Sequence, residues 1–191
     1  MQDKPLVGID EAGRGALAGP LYIGACELIN DIPDLTDSKK ISSNQREKLF
    51  KKIIKNSNYL ILAFSNKQVD SFGLSKCLDK ALKIIQIHFK NHNFLYDGNT
   101  NFKNENIKTM IKADLYVKQV SAASILAKVS RDNFMQNIAF KFPNYKFDKH
   151  KGYGTRLHIA LIKEFGYSTL HRTSFKLKNS NYKEQSLFNK I

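Results

Sequence analysis

Apolar and polar positions along the chain form two patterns, short apolar runs and longer stretches with apolar residues at helical spacing. The apolar runs predict strands over residues 6–9, 21–28, 59–64, 94–96 and 109–112. Helical spacing predicts helices over about 44–55, 74–88, 121–140 and 156–165, with Ser42 and Gln45 or Asn44 and Glu47 as a capping pair for the first and Thr155 for the last. This alternation predicts an α/β domain with a mixed central β-sheet flanked by helices.

Carboxylates stand at the ends of three predicted strands. Asp10 and Glu11 follow the first strand, Asp97 follows the fourth and Asp114 follows the fifth. A lone Asp at a strand end is more often a turn or cap residue. Three such ends agreeing favour one shared site, because strand ends in open α/β sheets converge on a crevice. Oxygen ligands without a nearby Cys or His set select Mg²⁺ or Mn²⁺.

The charge of the chain points to a polyanionic partner. Its 191 residues include 31 Lys and Arg against 17 Asp and Glu, a formal charge of +14. Nucleic acid is the first partner to consider, with an anionic membrane surface or simple solubility as alternatives. From Lys141 onward there are eleven Lys and Arg against three acids, interleaved with Phe142, Tyr145, Phe147 and Tyr153. Cations there can hold phosphates while the rings stack on bases or sugars.

The remaining composition bounds the location. No apolar run approaches the roughly 20 residues that span a bilayer, and residues 1–4 do not resemble a signal peptide. Cys26 and Cys77 are isolated in sequence, as suits a reducing compartment. We therefore expect a cytoplasmic protein with no membrane association.

A carboxylate cluster on a basic protein favours metal-dependent phosphodiester hydrolysis, in which two ions about 3.5–4 Å apart activate a water and stabilise the leaving oxygen.

Residues 8–15, Gly-Ile-Asp-Glu-Ala-Gly-Arg-Gly, carry a recognisable pattern. They closely resemble the signature of the type 2 ribonucleases H, and of the ribonuclease HII family in particular. The likeness continues in family order through residues 37–40, 96–99, 112–114, 121–128, 131–132, 150–153 and 171–175. An ordered set of this kind is far more specific than any single motif.

The resemblance implies a ribonuclease H-like fold that hydrolyses the RNA strand of RNA–DNA hybrids. It also implies incision 5′ of single ribonucleotides embedded in duplex DNA, leaving 3′-hydroxyl and 5′-phosphate ends. By matching motif positions, the metal-binding and catalytic acids would be Asp10, Glu11, Asp97 and Asp114, with Asp10 bridging two Mg²⁺ or Mn²⁺ ions.

The substrate-binding positions also follow from the matched motifs. Gly13, Arg14 and Gly15 would read the ribose 2′-hydroxyl, largely through backbone, and Tyr153 would stack on the sugar at the ribonucleotide–deoxyribonucleotide junction. Lys39 either contacts a phosphate or belongs to a solvated surface.

We expect a catalytic domain over residues 1–175, with a basic, helical substrate-binding region from about 141, and a tail or short helix over 176–191. The protein is expected to be a monomer.

Some assignments have competing interpretations. Ribonuclease HIII shares much of the first motif but typically carries an additional N-terminal substrate-binding domain. A non-catalytic nucleic-acid-binding module is also compatible with the composition, although four acids in a basic groove would weaken phosphate binding. Residues 185–188, Gln-Ser-Leu-Phe, faintly resemble a sliding-clamp-binding peptide.

Three further side chains are given structural or surface roles. Asp132 beside Arg131 is interpreted as a structural ion pair rather than a metal ligand. His150 and His171 are interpreted as part of a basic binding face, and not as catalytic groups.

Overall fold

A five-stranded mixed sheet forms the centre of the molecule. The computed structural model describes residues 4–33, 35 and 41–175. The strands are β1 (Leu6–Ala12), β2 (Leu21–Leu28), β3 (Ser57–Phe64), β4 (Asn93–Asp97) and β5 (Ile107–Met110). Their order in the sheet is β3-β2-β1-β4-β5. The first three pair antiparallel, and β4 and β5 continue parallel to β1. The mixed sheet predicted from the sequence is confirmed.

Helices cover both faces of this sheet. They are α1 (Ser43–Lys55), α2 (Asn66–Phe72), α3 (Leu74–His88), α4 (Lys118–Ala139), α5 (Phe147–His150) and α6 (Arg156–Phe165). On one face, apolar residues of α3 pack against those of β1 and β2. On the other face, α4 lies across β1 and β2, and α1 packs against α4.

Glycines allow α4 to approach the sheet closely. A Cβ added to Gly8 would lie 2.2 Å from the carbonyl carbon of Gln119, and one added to Gly24 would lie 2.3 Å from the carbonyl oxygen of Ala123. Real Cβ atoms do not reach such distances. The small residues at the start of α4, Ser121 to Ala123, are buried in this contact. The close approach holds α4 directly against the strand that carries Asp10 and Glu11.

The C-terminal described region forms a third small core. Buried Tyr145, Phe147 and Leu170 pack with Met135 from the end of α4 and with Ala18. Because Ala18 belongs to the connection between β1 and β2, packing in this core holds that connection in place. Its described residues include α5 and α6, and the role of this region in binding substrate stays a prediction.

Several predicted boundaries are wrong. β1 continues beyond Ile9 to Ala12, because its pairing with β2 extends to the Ala12–Tyr22 partners. β5 occupies Ile107–Met110 rather than 109–112, so Asp114 lies in a 3₁₀ turn over Ala113–Leu115.

The helix α2 is absent from the sequence prediction. Its capping box pairs Ser65 with Gln68, a Ser-x-x-Gln signal of the kind that also begins α1 at Ser42 and Gln45. Within the described ranges, no helix combines the length and hydropathy needed to span a bilayer.

Candidate active site

Three aspartates meet at the carboxyl ends of the central strands. Asp10 lies in β1, Asp97 is the last residue of the neighbouring parallel strand β4, and Asp114 lies in the turn after β5. One carboxylate oxygen from each falls within 4.8 Å of the others. The Oδ1 atom of Asp97 also accepts from the backbone N–H of Ala113 at 3.3 Å, which ties the end of β4 to the turn that carries Asp114.

Glu11 lies beside this cluster but its side chain leaves the strand on the other face. Neighbouring residues of a strand point to opposite faces, so Asp10 faces α4 with Gly8, while Glu11 shares the face of Val7 and Ile9. The Oη of Tyr96 donates to Glu11 Oε2 at 2.6 Å, and Arg14 Nη1 donates to Oε1 at 3.3 Å. The predicted four acids therefore divide into a group of three aspartates and a separately anchored glutamate.

The electrostatics of the cluster suit a cation. Burial raises the pKa of Asp10 well above its usual value, and the nearby charges of Glu11 and Asp97 raise it further, while a hydrogen bond from Ser124 opposes the rise. Burial likewise raises the pKa of Glu11, against the hydrogen bond from Tyr96 and the charge of Arg14. Like charges held together in a poorly solvated site repel, and a bound cation would reverse that penalty. The three-oxygen donor set, with no Cys or His in it, fits a hard divalent ion.

The connection from Gly13 to Pro20, here called the recognition loop, follows directly on β1. Gly13 is buried with φ +92°, and a Cβ there would lie 2.1 Å from Arg131 Nε. Gly15 is exposed, and a Cβ added to it would meet no atom within 4 Å. The two glycines thus have different reasons to lack a side chain: Gly13 leaves room for a buried neighbour, whereas Gly15 borders open space.

Tyr153 lies close to the recognition loop. The Arg131 guanidinium carbon stands 4.8 Å from the centre of the Tyr153 ring, and Lys128 Nζ stands 5.4 Å from it. The preceding Gly152 packs on Ala18 of the loop, where a Cβ would lie 2.3 Å from the Ala18 oxygen. The ring is half-buried and flanked by cations, an arrangement that suits stacking near a phosphate.

A cluster of buried histidines is hydrogen-bonded to the backbone of Tyr153. His171 Nδ1 accepts from the Ser168 N–H at 2.9 Å, so its Nε2 carries the proton and donates to His158 Nε2 at 3.0 Å. The proton of His158 is then on Nδ1, which donates to the Tyr153 oxygen at 3.0 Å. Burial is the largest cause that lowers the pKa of His158 to about 4 and of His171 to about 3. Both rings are therefore neutral.

The exposed binding role predicted for two histidines is wrong. His150 and His171 are 7% and 2% exposed, because Tyr145, Phe147 and the neighbouring rings cover them. Both side chains pack inside the local fold and expose almost no surface.

The predicted ion pair of Asp132 also has a different partner. Asp132 pairs with Lys128 at 2.9 Å, one helical turn away. Arg131 turns inward instead and donates to carbonyls of the recognition loop. Sequence reasoning missed Tyr96, Ser124, Arg131 and Arg172 as neighbours of the site. All four lie in segments that resemble family blocks, which gave them no role, and Tyr96 also precedes Asp97 in a strand that runs beside β1.

Two predictions fall on residues outside the described ranges. These are the phosphate contact of Lys39 and the tail or short helix over 176–191, which includes the clamp-like residues 185–188.

Comparisons with known proteins agree with this geometry. The family model described as ribonuclease HII matches residues 7–178. A ribonuclease HII of Campylobacter jejuni (strain 81-176) is 60% identical over 176 residues, covering 92% of each chain. The ribonuclease HII in a complex with PCNA from Archaeoglobus fulgidus is 24% identical, with a TM-score of 0.80 over 92% of this chain and 97% of that one. A Bst-RNase HIII solved in complex with Mn²⁺ is 15% identical, with a TM-score of 0.64 over 91% and 67% of the two chains.

These matches decide between the competing interpretations. The shared architecture of the solved structures makes the fold ribonuclease H-like. The family model and the high identity over nearly the whole relative favour ribonuclease HII over ribonuclease HIII and over a non-catalytic binding module. This chain belongs to the ribonuclease HII family of hydrolytic endonucleases.

Proposed function

We propose that Asp10, Glu11, Asp97 and Asp114 are the metal-binding and catalytic residues of this endoribonuclease. Its substrates are the RNA strand of RNA–DNA hybrids and single ribonucleotides embedded in duplex DNA, which it incises on their 5′ side. The observation that carries the assignment of the acids is the convergence of the three aspartates, whose carboxylate oxygens lie within 4.8 Å of one another.

The acids are proposed to hold two Mg²⁺ or Mn²⁺ ions when substrate is bound. Such ions supply activation of the attacking water and stabilisation of the leaving 3′ oxygen, which yields 3′-hydroxyl and 5′-phosphate ends. Asp10 is the proposed bridging ligand, since it is adjacent to both remaining aspartates and to Glu11. The Mn²⁺ complex of the Bst-RNase HIII supports manganese as one usable ion. Hydrogen bonds from Tyr96 and Arg14 fix the carboxylate of Glu11 at the edge of the cluster.

The recognition loop is proposed to read the ribose. Gly15 faces open space and is exposed, so a sugar can approach the backbone there without meeting a side chain. A ribose differs from a deoxyribose at this approach only by its 2′-hydroxyl, which both donates and accepts hydrogen bonds. Gly13, Arg14 and Gly15 then select the ribonucleotide, and Tyr153 stacks on the adjoining sugar. Lys39 is proposed as a phosphate contact.

We also propose that residues 1–175 form the catalytic domain, whose basic part from about 141 binds the duplex, and that 176–191 form a tail or short helix. A sliding clamp is proposed to bind residues 185–188, and the PCNA complex of the Archaeoglobus relative supports this proposal. A monomer in the cytoplasm is proposed, in keeping with two buried cysteines that are free thiols.

The test of the acid assignment compares two Asp→Asn variants. Asp10→Asn removes a charge from the cluster, whereas Asp31→Asn removes one from an exposed surface pair with Lys118. We expect Asp10→Asn to abolish cleavage of a duplex with one ribonucleotide and to retain binding of that duplex. Asp31→Asn should cleave like the wild type. Undiminished cleavage by Asp10→Asn would remove Asp10 from the mechanism.

A further inference from the structure

Two arginines lie buried beneath the recognition loop. Arg131 of α4 and Arg172 each have no exposed surface, and they are the two largest fully buried side chains among the described residues. Arg131 donates from Nε to the Pro20 oxygen at 3.0 Å and from Nη2 to the Ala18 oxygen at 3.1 Å. The loop backbone therefore rests on a guanidinium contributed by a helix more than a hundred residues away in sequence.

Arg172 holds the other side of the same loop. Its Nε donates to the Gly19 oxygen at 2.9 Å and its Nη1 donates to the Arg14 oxygen at 3.2 Å. Arg14 and Gly19 are near the two ends of the loop, so one side chain spans it. A planar guanidinium presents its donors in a fixed fork that can bind two separated carbonyls at once, and a lysine ammonium lacks this geometry.

Neither arginine is explained by ion pairing, although Arg131 lies 4.8 Å from the centre of the Tyr153 ring and Arg172 lies 5.1 Å from that of Phe175. Among residues 4–33, 35 and 41–175, no carboxylate lies within salt-bridge distance of either guanidinium. In the same ranges, Arg131 Nη1 and Arg172 Nη2 are buried without a hydrogen-bond partner. Unsatisfied buried donors on a cation are costly, and an apolar side chain of similar size would avoid that cost. What the arginines achieve in exchange is four hydrogen bonds to loop carbonyls.

Arg172 itself is fixed from outside the loop. It belongs to a segment over residues 168–175 whose backbone pairs with the loop, through Arg172 N–H to the Leu17 oxygen at 2.8 Å and Gly19 N–H to the Leu170 oxygen at 2.9 Å. Asp70 of α2 accepts from the backbone N–H groups of the next two residues, at 2.9 and 3.2 Å. The loop is thus clamped between α4 and a segment that is anchored to α2.

We infer that Arg131 and Arg172 are positioning residues that hold the recognition loop in the conformation that accepts the ribose. The inference rests on the proposed reading of the ribose by Gly13, Arg14 and Gly15. Both guanidinium groups are buried, so they act through the loop and do not touch substrate. Gly13 is part of the same arrangement, since the absence of a Cβ there leaves the space that Arg131 Nε occupies.

The test measures preference for a ribonucleotide at the level of binding. In the Asp10→Asn background, affinities are compared for a duplex with one ribonucleotide and for the same duplex made wholly of DNA. We expect Arg131→Lys and Arg172→Lys each to lower the ratio of these affinities about tenfold. Affinity for the all-DNA duplex should stay the same, because the charge is kept. Arg46→Lys is the matched control, since Arg46 also donates to a backbone carbonyl, that of Ile41, but lies on α1.

The outcomes separate this inference from the proposed function. A parent protein with no preference for the ribonucleotide would overturn the proposed function and this inference with it. A parent that prefers the ribonucleotide, with the preference kept in both lysine variants, would overturn the inference alone. A fall of both affinities by the same factor would indicate a smaller folded population with an unchanged site, and would also contradict a positioning role.

A second measurement uses the unaltered chain. The amides of Leu17, Ala18 and Gly19 donate to oxygens of Gly152 and Leu170. If the loop is held in place before substrate arrives, these amides should exchange with solvent as slowly as those of β1 in the free protein. Exchange as fast as in an open surface loop would overturn the inference, even if the arginine variants failed to fold.

Discussion

Substituting Gly15 separates the folding of the recognition loop from its function. A Cβ at this position meets no atom within 4 Å, and the φ of Gly15 lies outside the left-handed region. Alanine therefore fits the free protein without strain. By restricting the unfolded chain it should raise the free energy of unfolding by about 0.4–1 kcal/mol. That corresponds to an increase in Tm of roughly 1–4 °C for a chain of this size.

The same methyl group should damage catalysis. It occupies the open space in which the proposed sugar approaches the backbone, and displacing a substrate by about 1 Å can cost on the order of 100-fold in rate. We expect Gly15→Ala to lower kcat/KM on a duplex with one ribonucleotide by about that factor. The assays are thermal unfolding without substrate and steady-state cleavage of this duplex.

Gly73→Ala is the matched control with the opposite expectation. Gly73 also borders open space, but it lies between α2 and α3 with φ +79°. Alanine there should cost about 1 kcal/mol of stability through backbone strain and leave kcat/KM unchanged. A Gly15→Ala protein with wild-type kcat/KM would refute the proposed close approach of substrate to the loop.

Further predictions concern the supports of the site. Tyr96→Phe removes the 2.6 Å hydrogen bond to Glu11, which should raise the pKa of Glu11 further. The acidic limb of the kcat–pH profile should therefore move to higher pH. Superimposable profiles of the variant and the wild type would contradict this. Gly8→Ala forces a Cβ to 2.2 Å from α4 backbone, so the urea midpoint should fall by the equivalent of about 1–3 kcal/mol, whereas an unchanged midpoint would argue against the close contact. His158 and His171 have pKa values lowered to about 4 and about 3 from 6.5, so below about pH 6.5 the unfolded chain binds protons that the folded protein does not. The contribution of these histidines to stability should be fully present above pH 6.5 and decline towards pH 4. Asp10 and Glu11, whose pKa values are raised, act in the opposite sense. Equal urea midpoints at pH 7.5 and 5 in an Asp10→Asn, Glu11→Gln background would therefore exclude this.

The aspartate cluster was predictable because each aspartate carries a local signal and the sheet topology is a general one. Each of Asp10, Asp97 and Asp114 stands near the end of an apolar run, and the topology of an α/β sheet brings such ends together. The separate placement of Glu11 was not predicted, because it depends on β1 continuing through Ala12. Where the strand continues, side chains alternate between faces, and two adjacent acids point apart.

The sequence placed Arg131 and Arg172 in segments that resemble family blocks but did not indicate what these side chains contact. Arg131 and Arg172 bind backbone carbonyls, and a carbonyl is present at every residue, so no residue type marks the partner. The wrong partner given to Asp132 has a different cause, since sequence adjacency suggested Arg131 whereas helical geometry favours Lys128 one turn away. Sequence patterns therefore indicated the acids and the loop but not what holds them in place.

The most direct test of the account is the chemistry of the ends produced from a duplex with a single ribonucleotide. Hydrolysis by a water attacking at the carboxylate cluster predicts one nick, on the 5′ side of the ribonucleotide. That nick should have a 3′-hydroxyl and a 5′-phosphate, require Mg²⁺ or Mn²⁺, and disappear in Asp10→Asn. A nick on the 3′ side that leaves a 2′,3′-cyclic phosphate would mean that the ribose hydroxyl is the nucleophile, and would contradict the account.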